Sequence, residues 1–186
     1  MDIDVVYLQI EERNTTLINI DNLVVDIAGA ISKMDNIKCN ISKDKEASKI
    51  FIRRDDVEVK LEINAVTRGA LYDCIELPLS ESVSDKFGFE YSTKIVSLYD
   101  LYAGKICAAL SRKHPRDLFD VKLMLEHNTL QFNEAFMNAI VIYISCSNKA
   151  FYDLLDKKIP EKSSFANTFN SKFKGMTNSN ITADQL

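Results

Sequence analysis

The sequence predicts an α+β protein, with strands gathered in its first half and helices in its second. Three stretches carry that prediction. Residues 56–65, DVEVKLEINA, alternate without a break: Val57, Val59, Leu61, Ile63 and Ala65 take one face, and Asp56, Glu58, Lys60, Glu62 and Asn64 the other. A period of two marks a half-buried strand. Residues 17–34 instead place Leu17, Ile20, Val24, Ile27 and Ile31 at helical spacing. Residues 97–128, SLYDLYAGKICAALSRKHPRDLFDVKLMLEHN, read as two helices joined by a tight basic turn.

Composition narrows the function. The 186 residues are 46% hydrophobic and 27% charged, which supports one substantial core, or one domain with a helical annex. A net charge of −4 rules out a global basic field for nucleic acid, so any RNA contact must come from a local patch. Cys39, Cys74, Cys107 and Cys146 are widely separated, and only His114 and His127 could join them, so no zinc site is expected. No signal peptide opens the chain, and its longest apolar run, residues 139–144, is too short to span a membrane. A reducing cytoplasm is the expected setting, with no membrane partner.

Taken in order, residues 1–10 form a strand candidate through their β-branched and aromatic content. Asp2 and Asp4 lie two apart, so on a strand their carboxylates share a side. Paired carboxylates can hold hard divalent cations such as Mg²⁺, though the same pattern suits a polar strand end. Residues 11–16 are a polar turn before the helix of 17–34, which Asp35 and Asn36 end. Residues 37–41 and 49–53 look like a strand pair around the charged loop 42–48. The polar face of 56–65 is either plain solvent-facing surface, or it brings Lys60, Glu62 and Asn64 to the side of Asp2 and Asp4. A turn at 67–71 contains Gly69, and residues 74–96 are poorly periodic, with short edge strands at 77–79 and 91–96.

In the helical pair, Leu98, Leu101, Tyr102, Cys107, Ala108 and Leu110 supply the apolar positions of the first helix. Lys105 and Arg112, seven residues apart, project from one face. Pro115 fits the first position of the second helix, where its missing N–H costs nothing, and Asp117 suits the positive end of that helix. Leu118, Val121 and Leu125 form its apolar stripe, with Phe119 and Met124 beside it, and Arg116 and Asp120 are spaced as an ion pair. Beyond it, residues 133–144 read as a helix whose Phe136, Met137, Ile140, Val141 and Ile144 face a bundle core. A short helix follows at 151–155, and Pro160 breaks the chain. A last helix, 163–174, carries Phe165, Phe169 and Phe173 at fourfold spacing. Lys157, Lys158, Lys162, Lys172 and Lys174 make this end locally basic, either as a solvated face or as a weak RNA-backbone contact.

One longer pattern stands out. Leu101, Lys105, Ala108 and Arg112, followed by Pro115-Arg116-Asp117-Leu118-Phe119-Asp120, resemble the AbiEii/AbiGii toxin family of nucleotidyltransferases. Lys60-Leu61-Glu62-Ile63-Asn64 is similar to that family's Lys-x-acid-hydrophobic-Asn strand, and Phe173-Lys174-Gly175-Met176 to its tail. The Asp-x-Asp strand, the Lys-x-Glu strand and the helical pair occur in the family's order.

The resemblance implies a nucleotidyltransferase-like small mixed sheet with flanking helices, followed by a helical bundle. The division it implies is an α/β core over residues 1–96 and a bundle over 97–186. It implies a toxin of a bacterial toxin–antitoxin or phage-defence pair, transferring nucleotides from NTPs to an RNA acceptor, tRNA being known for related toxins. In such a site Asp2, Asp4 and Glu62 hold Mg²⁺ and Lys60 faces the triphosphate or serves as an ion-pair partner. Lys105 and Arg112 balance triphosphate charge, Asp117 or Asp120 positions groups or acts as a base, and Arg116 orders the helical pair.

The family also carries a Gly-Ser or Gly-Gly turn about ten residues before Asp-x-Asp, opening a phosphate-binding helix. A chain starting at Met1-Asp2 has no counterpart, so it is expected to be shortened at this end. Two function classes follow: a metal-dependent transferase acting on RNA ends, and a catalytically inactive relic or interaction module that binds a partner antitoxin.

Overall fold

The computed structural model describes residues 2–43, 47–64, 69–127, 130–155, 162–177 and 180–186. Several expectations fall elsewhere: part of the charged loop (44–46), Ala65, Thr67, Asn128, Lys157, Lys158 and Pro160 lie outside the described residues. The chain divides into two compact units, Met1–Ala70 and Leu71–Leu186.

The first unit is a four-stranded sheet with one helix on it. Its strands are β1 (Asp2–Val6), β2 (Lys38–Lys43), β3 (Ala47–Arg54) and β4 (Val57–Asn64), and its helix is α1 (Arg13–Ile31). The strand order is β1-β4-β3-β2. β1 runs parallel to β4, while β4–β3 and β3–β2 are antiparallel, so the sheet is mixed as expected. A parallel pair needs a long crossover, and the span holding α1 and the β2–β3 hairpin supplies it. The β3–β4 hairpin turns at Asp55, whose φ of 52° lies in the left-handed region that Asp tolerates better than most side chains.

Alternation gives this sheet two unlike faces. Tyr7, Ile50 and Ile63 are buried against Ile20, Val24 and Ala28 of α1, with Val5, Leu17, Ile27, Ile52 and Leu61 packed around them. Burying each such aliphatic side chain contributes about 1.5–3 kcal/mol. The helix begins at Arg13, four residues before its first expected apolar position, because the Glu12 carboxylate accepts from the backbone N–H groups of Asn14 (2.8 Å) and Thr15 (3.2 Å). Gly69 closes the unit at φ 77°, its N–H donating to the Tyr7 carbonyl at 2.8 Å. A Cβ there would stand 2.7 Å from Ile10 Cγ1, so a side chain is excluded both by backbone and by space.

The second unit opens with the antiparallel pair β5 (Ile75–Pro78) and β6 (Ser92–Ile95). Between them lies α2 (Glu81–Phe87), which periodicity does not reveal because none of its residues is buried. The expected helical pair is α3 (Leu98–Arg112) and α4 (Pro115–Glu126), followed by α5 (Glu134–Ser145), α6 (Phe151–Leu155) and α7 (Lys162–Lys172). Lys113, at φ 48°, ends α3 in the left-handed conformation, and Pro115 begins α4 as its first helical residue. Asn133 caps α5 by accepting from the Phe136 N–H at 2.9 Å.

Ala103, Met124, Phe136 and Ala139 form the buried centre of this bundle, with Tyr72, Tyr99, Ile106, Val121, Ile140 and Tyr143 around them. Two stripe assignments need correction. Met137 and Val141 of α5 are about half exposed, at 47% and 51%. The buried stripe runs instead through Phe136, Ala139 and Ile144, with Ile140 and Tyr143 partly buried beside it. On α4, Met124 is buried while Leu125 is 51% exposed. Of the expected phenylalanine stripe, Phe169 of α7 and Phe173 just beyond its end lie with tilted rings 5.4 Å apart, and Phe173 reaches Phe119 of α4 at 5.2 Å.

Candidate functional site

The four polar residues expected on the sheet share one face. In the parallel β1–β4 register, Asp2 lies opposite Lys60 and Asp4 opposite Glu62. Alternation therefore turns all four away from α1, to the side that also carries Lys49 of β3. The Lys60 ammonium bridges its neighbours, 3.2 Å from Asp2 Oδ2 and 2.9 Å from Glu62 Oε2. Glu62 first, and Asp2 second, hold the Lys60 pKa above the ordinary lysine value.

This face fits a hard divalent cation in the chemistry of its donors and in their shared side. Asp2, Asp4 and Glu62 offer only carboxylate oxygens, which suit such ions. Among the described residues, however, no three acidic, cysteine or histidine side chains already form a metal cluster. The Lys60 ammonium stands between the two outer carboxylates, so a cation taking both must displace it.

In the second unit the helical pair is cross-linked by two ion pairs. Lys105 Nζ of α3 donates to Asp120 Oδ2 of α4 at 2.6 Å, and Arg112 Nη2 donates to Asp117 Oδ1 at 2.8 Å. Lys105 and Arg112 thus project from one face of α3, as their spacing predicts. The expected Arg116–Asp120 pairing along α4 gives way, because Asp120 is taken by Lys105. Arg116 contributes its backbone N–H to His114 Nδ1 at 3.2 Å, while its side chain stays exposed. The two cross-helix pairs join α3 to α4 across this turn.

Asp117 differs from the others in burial. Its side chain is 7% exposed, and its buried Oδ2 has no hydrogen-bond partner among the described residues. It lines a cleft of about 270 Å³ with Arg112, His114, Arg116, Lys172 and Met176.

Sequence reasoning passed over Asp100. This buried carboxylate accepts from Leu71 N–H (2.8 Å), Tyr72 N–H (3.2 Å), the Ser97 hydroxyl (2.6 Å) and the Tyr143 hydroxyl (3.0 Å). Burial first, and Asp100 second, push the Tyr143 pKa up. Ser97-x-x-Asp100 at the start of α3 was the available signal, since Ser97 Oγ caps the Asp100 N–H at 3.1 Å.

A family model described as nucleotidyl transferase AbiEii toxin, type IV TA system, matches residues 1–182. No curated protein matches the chain, and no solved structure does. Among the described residues no helix is long and apolar enough to cross a membrane.

Proposed function

Since the chain belongs to the AbiEii nucleotidyl transferase toxin family of type IV toxin–antitoxin systems, we propose that it transfers a nucleotide from an NTP to an RNA acceptor, tRNA being the acceptor class. It acts in the bacterial cytoplasm as the toxin of a toxin–antitoxin or phage-defence pair, opposed by an antitoxin protein. The observation that carries this reading is the register of Asp4 against Glu62, with Asp2 on the same face, two strands supplying three carboxylates to one side.

In the transfer, an acceptor hydroxyl loses its proton to a carboxylate, Asp117 or Asp120. Its oxygen bonds to the α-phosphorus, the bond to the β-phosphate oxygen breaks, and pyrophosphate leaves. Asp2, Asp4 and Glu62 are the residues that would hold Mg²⁺, which when bound supplies charge neutralisation at the phosphates. Lys105 and Arg112 balance triphosphate charge, oriented beforehand by their carboxylate partners. Lys60 keeps Asp2 and Glu62 on one side until a cation or phosphate draws it away.

That same ammonium favours a second reading. Lys60 neutralises two of the three carboxylates from within the chain, which suits a catalytically inactive relic that binds a partner antitoxin. Transfer of α-labelled nucleotides to total tRNA with Mg²⁺, wild type against Asp4→Ala, separates the two. Label that vanishes in the variant establishes the transferase. No label from any of the four nucleotides favours the antitoxin-binding module.

A further inference from the structure

We propose that the open face of the four-stranded sheet binds a single-stranded segment of the acceptor RNA, one base stacking on Phe51 and the backbone running past Lys38 and Arg53. The inference rests on the transferase reading and gives that reaction's acceptor a path beside the carboxylates.

Register builds this surface. Along β3, Ile50 and Ile52 pack toward α1, so Lys49, Phe51 and Arg53 take the opposite face, the one that carries Asp2, Asp4, Lys60 and Glu62. Phe51 lies opposite Lys60 on β4 and Asn40 on β2, and Arg53 lies opposite Lys38. It is the one aromatic residue of β1–β4. Phe51 is half-buried, and its neighbours across both ladders are polar, unlike the aliphatic side chains that hold α1. A ring in that setting adds little to the core. It offers a flat apolar surface that any base can cover, which is how open sheets take single strands.

Charge is graded across the same face. β1 contributes Asp2 and Asp4, whereas β3 and β2 contribute Lys49, Arg53 and Lys38. Lys38 is exposed and, among the described residues, held in no ion pair. Arg53 is 61% exposed, and its pair with Glu58 is solvated enough to yield to a phosphate. Both also line a cleft of about 660 Å³ with Lys33 and Asn36, which extends the basic path beyond the ladder. Length decides between the two nucleotides of the reaction. Arg53 lies four residues along β3 from Lys49, the residue opposite Glu62, a span of about 13 Å. The phosphates of an NTP stay beside the carboxylates and fall short of that span, whereas an RNA strand carries further phosphates to it.

The test uses the full chain and its Phe51→Trp variant, because the sequence holds no tryptophan and the new indole reports on this position alone. A short single-stranded RNA is expected to quench that fluorescence by stacking. In anisotropy with the same RNA carrying a 5′ label, Phe51→Leu should weaken binding by about tenfold, the worth of one stacked base, and Phe51→Tyr should match wild type. Lys33→Ala/Lys38→Ala changes only exposed side chains and should flatten the slope of log affinity against log salt by about 1.4, two contacts at about 0.7 each. Unquenched emission, or unchanged affinity in Phe51→Leu, overturns the proposal. So does a duplex RNA that competes as well as the single strand. NTP binding that is lost in Phe51→Leu while RNA binding holds also overturns it, giving the ring to the donor nucleotide. Ring-dependent RNA binding without nucleotide transfer counts against the transferase reading alone; transfer with full RNA affinity in Phe51→Leu counts against this surface alone.

Discussion

The Lys60 ammonium lies 2.9 Å from Glu62 Oε2, two residues along the same strand. It also reaches Asp2 across the parallel pair, so one side chain neutralises two of the three carboxylates on that face. Raised above the ordinary lysine value, Lys60 remains a cation at every pH near neutrality and competes there with any divalent ion. Lys60→Met is therefore expected to tighten Mn²⁺ binding by about tenfold, read by electron paramagnetic resonance titration, an interaction change of about 1.4 kcal/mol. Its loss of folding stability should stay below about 1 kcal/mol, because the pair is partly solvated. Unchanged Mn²⁺ affinity would remove Lys60 as a competitor for the site.

Asp100 predicts a stability effect and a pH effect. Asp100→Ala strands the Ser97 and Tyr143 hydroxyls and the N–H groups of Leu71 and Tyr72, and should cost about 3 kcal/mol or more in urea denaturation. Tyr143 titrates above its ordinary value of 10.0 in the folded protein. The stability tied to its proton is complete below that value and is lost as pH climbs through the folded pKa, since the unfolded chain gives up the proton first. Tyr143→Phe should therefore lose less stability than wild type between pH 9 and pH 11, a range spanning the ordinary tyrosine pKa of about 10. Tyr7, Lys60 and Cys107, also shifted upward, remain in both proteins and cancel in the difference. Parallel losses in the two proteins would show that the Tyr143–Asp100 contact has no such role.

Where periodicity met a single dominant face, the sequence was legible. The alternation of β4 and the caps around α3 and α4 placed those elements within a residue or two, and strand alternation put Asp2 with Asp4 and Lys60 with Glu62, whereas bringing the two pairs to one side rested on the family resemblance. Helix α2 was hidden because it buries nothing; α5 was expected, but its inward face was not, because the helix is apolar almost all round and composition could not tell Ala139 from Met137 as the inward position. Asp100 was hidden for a different reason. A buried carboxylate is identified by the donors that converge on it, and Leu71, Tyr72 and Tyr143 are distant in sequence.

The corrected face of α5 can be tested directly. Phe136 is fully buried between Tyr99 and Phe132, with ring centroids 5.8 and 5.2 Å away. Phe136→Ala should destabilise by about 3–5 kcal/mol, through lost transfer energy and the cavity left behind. Met137→Ala, one residue on, should change stability by no more than about 0.5 kcal/mol. Comparable losses in the two melts would restore Met137 to the core.

Lys105 separates a structural role from a catalytic one. Its 2.6 Å pair with Asp120 joins α3 to α4, yet the two side chains are 37% and 32% exposed. Pairs this solvated contribute up to about 1 kcal/mol, so Lys105→Ala should melt within a few degrees of wild type. A cation that meets triphosphate charge in the transition state is a different matter, and its removal should slow transfer by about a hundredfold or more. If Asp120 serves only to hold Lys105, the Lys105→Ala/Asp120→Asn double variant will be no slower than Lys105→Ala alone, whereas a base at Asp120 makes the double slower still. The Lys122–Glu126 pair on α4, 2.8 Å apart with Glu126 53% exposed, provides the control. Lys122→Ala should leave both melting and transfer near wild type, and a loss of transfer there equal to that of Lys105→Ala would reduce Lys105 to one more surface charge.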